Sequence, residues 1–382
     1  VEARVPGQYL RRMPGLDPRA VLAGRPTARP PLGVVVTVAV SSVCLFVALA
    51  LLLHDGATGV VTAVLLALVP LPLLLAGVLA LDRLEPEPPD ALVAAFGWGA
   101  GVAVLIATVV NTAGLDLVWR PLLGDELGLY ATAAITAPVV EELAKGTVLV
   151  GLLWFRRHEL NGPTDGIIYG SMVALGFATV ENISYYAFAA DGALAWTFVM
   201  RGLFSPLLHP LCTSLVGIGV ATAALRPRGR RVLPVVLGFV GAIGVHAAWN
   251  ASTAGGLEGL AAAYTLGLGV LVALAVVLHR DRRRIVGLVQ EHLPRYAAVG
   301  VVGPGDVRML SSLQARRRAR ERLRVTLGRG PARAMADYQQ AATELAMLHR
   351  RHGLGLVPDD EFQARRDPLL LLMGHARVAF TR

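Results

Sequence analysis

A chain of 382 residues that is 54% hydrophobic and 16% charged, with a mean hydropathy of +0.57, carries far fewer charges than the roughly 25% typical of soluble domains. That excludes a nucleic-acid-binding globule despite the net charge of +9. It also excludes disorder over most of the length, which needs low hydrophobicity and high charge. The composition is that of a multi-pass membrane protein. The fold class it predicts is all-α: a polytopic bundle of about eight transmembrane helices with a basic helical cytoplasmic C-terminal tail. Cys44 and Cys212 both lie in apolar runs, which speaks against a disulfide framework or a cysteine metal site. Of the 36 basic residues all but Lys145 are arginine, a bias that suggests a GC-rich bacterial genome.

In chain order, residues 1–31 form a basic arm carrying Arg4, Arg11, Arg12, Arg19, Arg25 and Arg29. Segments near 32–53, 57–81, 91–113, 128–154, 165–189, 196–224, 232–253 and 258–279 are each long and apolar enough to cross a bilayer, which takes about 20 residues. The sixth is the longest and has Pro206 and Pro210 as candidate breaks. The first is long for the apolar part of a signal peptide and has no small-residue cleavage site after it, so no signal peptide is expected. Between the second and third, residues 82–90 make an acidic, proline-stiffened loop.

Arginines cluster on alternate loops: Arg83, then Arg156 and Arg157, then Arg226, Arg228, Arg230 and Arg231, whereas the opposite loops offer Arg120. The positive-inside rule then places both termini in the cytoplasm. Residues 280–382 hold twenty arginines against ten carboxylates and show apolar residues at helical spacing: Val307, Leu310 and Leu313, then Ala341, Leu345 and Leu348. Anionic lipid is the partner expected for this tail, with a cytoplasmic protein as the alternative. Nucleic acid is not expected as a partner, because no motif supports it. The organisation is thus an arm (1–31), a membrane domain (32–279) and a tail (280–382).

Charged groups within spans are costly, about 2.5–3.5 kcal/mol each at mid-bilayer on insertion scales, so those present are candidates for function. The fourth segment contains Glu141, Glu142 and Lys145. Glu141 and Lys145 are one turn apart and can pair, while the two adjacent carboxylates point about 100° apart and should differ in role. Burial with one cationic partner is a common route to a general base, and an inert ion pair locking two helices is the competing reading. The fifth segment carries Glu181, Asn182 and Tyr185, which could otherwise be inter-helix hydrogen-bonding glue. In the sixth, Arg201, Ser205 and His209 fall on one helical stripe. In the seventh, His246 and Asn250 share a face and could both donate to one oxygen, as an oxyanion hole requires; capping of loose backbone is the alternative. At about 1.5 Å per residue, these groups would meet between mid-membrane and the outer surface.

Four motifs together resemble the PrsW family of glutamic-type intramembrane proteases: Glu141-Glu142-Leu143-Ala144-Lys145, Phe177-Ala178-Thr179-Val180-Glu181-Asn182, His209 in His209-Pro210-Leu211-Cys212-Thr213, and His246-Ala247-Ala248-Trp249-Asn250. The loop at 82–88 resembles that family's loop as well, and the resemblance covers roughly residues 60–280. It implies cleavage of a single-pass, anti-sigma-factor-like membrane protein just outside the membrane plane, in a bacterial inner membrane. Carried over by motif, Glu141 and Glu142 would activate water, and Glu181 and His209 would complete the catalytic cluster. By similarity to the related CAAX prenyl endopeptidases, His246 and Asn250 would stabilise the oxyanion. Lys145, Asn182 and Arg201 would be supporting residues. Lys145 stands where the prenyl proteases have arginine, and Glu181 where they have histidine.

For cofactors the sequence leaves two options. Glu141, Glu142, Glu181, His209 and His246 could supply a zinc site of the two-His, one-carboxylate kind. The absence of an H-E-x-x-H motif and the lysine beside the glutamates favour a metal-free mechanism. An ion-coupled transporter also places such residues in the membrane, and a non-enzymatic scaffold acting through the tail is a third reading.

Overall fold

The computed structural model describes residues 17–22, 29–57, 59–81, 86–190 and 192–381. Most of the basic arm, including Arg4, Arg11, Arg12 and Arg25, and residues 82–85 of the acidic loop lie outside the described residues. Every regular element described is helical. The chain divides into two units, one of residues 30–82 and 87–278, the other of residues 1–29, 83–86 and 279–382.

The first unit begins with α1 (Leu32–His54) and α2 (Val60–Leu81). Seven helical runs among the described residues are long and apolar enough to cross a membrane, where eight segments are predicted. The difference lies in the run Pro89–Phe155 of 67 residues, which as a straight helix would extend about 100 Å, some three hydrocarbon cores. It is not straight. Gly124 takes φ 80° and ψ −179°, a conformation that favours glycine, and divides the run into α3 (89–123) and α4 (125–155). Trp119 Nε1 donates to Thr136 Oγ1 at 2.7 Å and Trp98 Nε1 to the Ala144 carbonyl at 2.9 Å. Nested pairs that join the two sides of Gly124 are the signature of a hairpin, so one run contains both the third and the fourth predicted segments. At its tip Arg120 bonds Asp116 and reaches Asp125 Oδ1 at 2.6 Å, which neutralises the arginine that stood against the charge asymmetry.

Next come α5 (Pro163–Ala187) and a run that breaks in the middle, giving α6 (194–204) and α7 (Leu208–Ala224). The last turn of α6 is π-helical, and Ser205 leaves helical geometry at φ −118°, ψ 28°. The break therefore falls at Pro206, whereas Pro210 sits harmlessly in the first turn of α7, where its missing N–H has no helical acceptor to lose. The single stripe predicted for Arg201, Ser205 and His209 does not exist, because no continuous helix joins them. Ser205 Oγ turns back to the Met200 carbonyl. The unit closes with α8 (Val232–Thr253) and the part of α9 (Gly256–His292) up to residue 278, the rest of that helix belonging to the second unit.

The central helix is α5, buried on all sides from Thr164 to Phe177. It meets α7 where glycine faces glycine: a Cβ on Gly217 would lie 1.8 Å from the Gly166 carbonyl oxygen, and one on Gly166 2.2 Å from that of Gly217. Helices in lipid associate through such close approach, since burying apolar surface gains little there. Gly217→Val must push backbone from backbone. It is expected to cost more than the roughly 1–3 kcal/mol of ordinary overpacking, read as loss of monodisperse protein after detergent extraction. Normal yield and thermal midpoint would show that the two helices can part without harm. By contrast α1 and α2 turn large apolar side chains outward, Phe46 at 74% exposed and Leu73 at 78%, as lipid-facing helices do.

The second unit is a folded helical body with its own core. After α9 come α10 (Asp306–Leu310), α11 (Leu313–Thr326), α12 (Arg329–Gly353) and α13 (Asp359–Phe380). Leu310, Ala341, Leu345 and Leu348, apolar at helical spacing in the sequence, are buried in this core with Tyr338 and Leu372. Tyr338 donates to Asp306 Oδ2 at 2.7 Å, and Arg377 bonds the same carboxylate.

Candidate functional site in the membrane bundle

Four helices bring their ionisable residues to one end of the first unit. Glu181 lies near the C-terminal end of α5, His209 in the first turn of α7, and His246 in the last two turns of α8. The short connection 156–162 turns the chain back from α4 into α5, so Glu141, Glu142 and Lys145 come to that same end. Glu141, Glu142, Lys145, His209 and His246 are all buried, and Lys145 is 0% exposed.

Glu142 is the carboxylate that Lys145 holds. Lys145 Nζ lies 2.6 Å from Glu142 Oε1 but 3.7 Å from Glu141 Oε2, so the i,i+4 pairing predicted for Glu141 is the weaker of the two. Glu142 Oε1 also contacts His246 Nδ1 at 3.0 Å, and Glu142 Oε2 accepts from Thr213 Oγ1 at 2.9 Å. Both its oxygens are thus occupied. Lys145 Nζ further donates to His209 Nδ1 at 3.1 Å and lies 4.3 Å from the centre of the Phe177 ring. Lysine has only donors to offer, so His209 Nδ1 accepts and its Nε2–H donates to Glu181 Oε2 at 3.1 Å.

Glu181 forms a second pair. Arg201 bonds its Oε2 and, through Nε, reaches Asn182 Oδ1 at 2.8 Å. Arg201 also stacks on Tyr185, 3.5 Å from the ring centre. Although α6 and α7 are separate helices, Arg201 and His209 converge on one carboxylate oxygen. This edge of the cluster is its partly open side, with Glu181 and Arg201 half-buried and Tyr185 exposed.

Three carboxylates here face two permanent cations. Lys145 compensates Glu142 and Arg201 compensates Glu181, which leaves Glu141. Its buried Oε2 has no hydrogen-bond partner among the described residues. His246 gives Nδ1–H to Glu142, so in the neutral ring the lone pair is on Nε2, 4.0 Å from Glu141 Oε2. Two acceptors facing each other across that gap repel unless a cation, or a water with two hydrogens, stands between them. Glu141, His209 and His246 each place one donor atom within 4.8 Å of the others.

Those three residues fit a divalent metal of the zinc class in number and type. Each histidine also has a carboxylate on a ring nitrogen, as metal-bound histidines commonly do. The unpartnered Glu141 oxygen is a further point of fit. Lys145 would compete with a metal ion, because its ammonium already contacts His209 Nδ1 and stands near Glu141 Oε2.

Asn250 Nδ2 donates to the Ala133 carbonyl of α4 at 2.9 Å rather than to a residue of this cluster. Asn182 and Arg201 sit beside Glu181. Two residues inside the quoted motifs gain a role from the structure alone: Thr213 orients Glu142, and Phe177 packs on both Lys145 and His209. For Thr213 a signal was present: it is one turn on from His209, on the same face of α7.

A helix bundle with a buried, hydrogen-bonded Glu/His/Lys cluster defines a polytopic membrane protein with an intramembrane polar centre. Residues 87–280 match the sequence signature described as "PrsW family intramembrane metalloprotease", and the chain belongs to that family. It is 34% identical over 101 residues to "Protease PrsW" of Geobacillus kaustophilus, covering 26% of this chain and 43% of that one. It is 33% identical over 153 residues to "Protease PrsW" of Clostridioides difficile, covering 40% of this chain and 62% of the relative. The chain thus spans about half the length of the curated relatives it matches. No solved structure matches it.

Proposed function

We propose that the chain is an intramembrane endopeptidase that hydrolyses a peptide bond of a membrane-anchored polypeptide. The observation that carries this reading is Glu141 Oε2, buried with no hydrogen-bond partner among the described residues and 4.0 Å from His246 Nε2, in a cluster whose other carboxylates are paired. An inert ion-pair lock would leave no such surplus, since an unpartnered buried carboxylate costs several kcal/mol. Membership of a family of intramembrane metalloproteases, and the naming of both relatives as proteases, support the same reading.

A divalent metal held by Glu141, His209 and His246 would supply a Lewis acid that polarises water or the scissile carbonyl. In the metal-free cluster Glu141 Oε2 accepts a proton from the attacking water and then delivers it to the leaving amine nitrogen, so that water adds across the peptide bond and the glutamate returns to its starting state; as a metal ligand it would instead hold the ion. Glu142, fixed by Lys145 and Thr213, holds His246 in its tautomer, and Glu181, fixed by Arg201, does the same for His209. Substrate and water enter past the half-open edge at Glu181, Arg201 and Tyr185. The loops rich in arginine, after α4 and between α7 and α8, lie at the opposite end from the cluster. By the positive-inside rule the cluster then faces the extracytoplasmic half of a bacterial inner membrane, with both termini in the cytoplasm. The family resemblance points to a single-pass, anti-sigma-factor-like substrate.

The test compares protein N-termini in membrane and shed fractions of cells expressing the wild type or Glu141→Gln at equal level. A small set of termini just outside single-pass helices, present with the wild type alone, is the expected result. Identical termini under several envelope stresses would remove the peptidase reading and favour ion transport. For the metal, plasma mass spectrometry of purified protein is expected to find about one divalent ion per chain and a loss of at least ten-fold in His246→Ala. Full cleavage by protein stripped of metal would overturn that part.

A further inference from the structure

The second unit contains a cleft of about 820 Å³ between α11 and α12, lined by Arg317, Arg318, Arg320, Arg324, Arg329 and Arg333, with Glu321 as its lone carboxylate. Arg317, Arg320 and Arg324 fall at i, i+3 and i+7 on one face of α11, and Arg329 and Arg333 at i, i+4 on α12. Ala332 and Ala336 line it too, small side chains that leave the space open. Glu321 is already taken by Arg324, at 2.9 Å. Among the described residues no carboxylate comes within ion-pair distance of Arg317, Arg318, Arg320 or Arg329, whereas Arg333 has Asp337 one turn on along α12, whose charge it feels.

We infer that this cleft is a binding site for a ligand carrying two or more closely spaced phosphate groups. Like charges one helical turn apart repel, so the bare arrangement is unfavourable and an anion in the cleft relieves it. The repulsion is felt below the surface as well. Burial first, and then neighbouring Arg320, brings Arg316 down to about 10, and burial and Arg317 lower Arg320. Arg316 itself is committed inward, to the Leu310 carbonyl and Thr343 Oγ1, both at 2.8 Å.

The choice of phosphate follows from the residue type. Guanidinium forks match phosphate oxygens two at a time, and opposed rows of forks on two helices suit a ligand with phosphates at two points. A diffuse attraction to negative surface would not need the charges gathered in one concavity. This inference rests only on the second unit and stands or falls apart from the peptidase reading.

The full-length protein in detergent is titrated with inorganic pyrophosphate by calorimetry, and separately placed in bilayer nanodiscs with or without a lipid that carries two phosphates. Two variants with equal loss of charge are compared: Arg317→Gln/Arg320→Gln/Arg329→Gln in the cleft, and Arg283→Gln/Arg308→Gln/Arg322→Gln outside it. Saturable binding of pyrophosphate, weakened at least ten-fold by the cleft variant and less than two-fold by the control, supports a soluble ligand. The same contrast seen only with the diphosphate lipid assigns the source to a headgroup. Equal losses in both variants, equal affinity for phosphate-free polyglutamate, or no binding in either format overturns the inference. Circular dichroism of both variants separates lost binding from lost fold.

Discussion

Glu141→Gln is expected to lower the rate of substrate cleavage by about 10²–10⁴-fold, the usual contribution of a positioned general base, while the protein folds at least as well as the wild type. The two halves of this expectation come from the same geometry. Glu142 and Glu181 each have a cation of their own, so Glu141 carries the charge that the cluster does not compensate. Glutamine keeps the shape, removes that charge and offers an amide hydrogen to the facing His246 Nε2. A thermal midpoint equal to or above that of the wild type, together with lost cleavage, is the pattern of a site that holds strain for function. Retained cleavage at normal expression would remove Glu141 from the reaction. Lost cleavage with a lowered midpoint would reassign it to the scaffold.

The second large effect is on stability and falls on Lys145. It is fully buried and touches Glu142 Oε1 and His209 Nδ1, with Glu141 Oε2 just beyond. Lys145→Met removes one of two cations from among three carboxylates, and breaking a buried ion pair on one side costs about 3–5 kcal/mol. The double variant Glu142→Gln/Lys145→Met removes both charges and is expected to recover a large part of that loss, because the partners are coupled. Its cleavage stays low, since Glu142 also orients His246. The wild type, the single variants Lys145→Met and Glu142→Gln, and the double variant are compared by reversible unfolding in mixed micelles and by cleavage of a reporter substrate. A single Lys145→Met variant as stable as the wild type would mean that Glu142 is not held ionised by this lysine. A double variant that cuts normally would free Glu142 from its orienting role.

These two residues show how differently the parts of the site could be read in advance. Glu141, Glu142, Glu181, His209 and His246 stand out in the amino-acid sequence because charge within an apolar span is costly, and the structure brings all five together. Helical spacing also named Glu141 as a partner of Lys145, which it is at 3.7 Å, but the closer contact, 2.6 Å, goes to Glu142. At i+3 and i+4 both glutamates are within its reach, and the selection is made by Thr213 and His246, which come from other helices and hold Glu142 in place. Arg201 joined the cluster for a reason that periodicity misses. Its helix ends at Ser205, and only the break between Ser205 and α7 lets it and His209 meet at one oxygen of Glu181.

The apolar content, the number of crossing segments, the asymmetry of arginines and the list of costly residues were all determined by the chain itself, since each depends on transfer from water to lipid and is a local sum over residues. The hairpin at Gly124, the close approach of α5 and α7 at Gly166 and Gly217, the division of three carboxylates between two cations and the gathering of arginines in one cleft were decided only by tertiary structure. Ion pairing and hydrogen bonding fall off within a few ångströms, and which residues lie that close is a property of how helices pack, not of how far apart they stand along the chain.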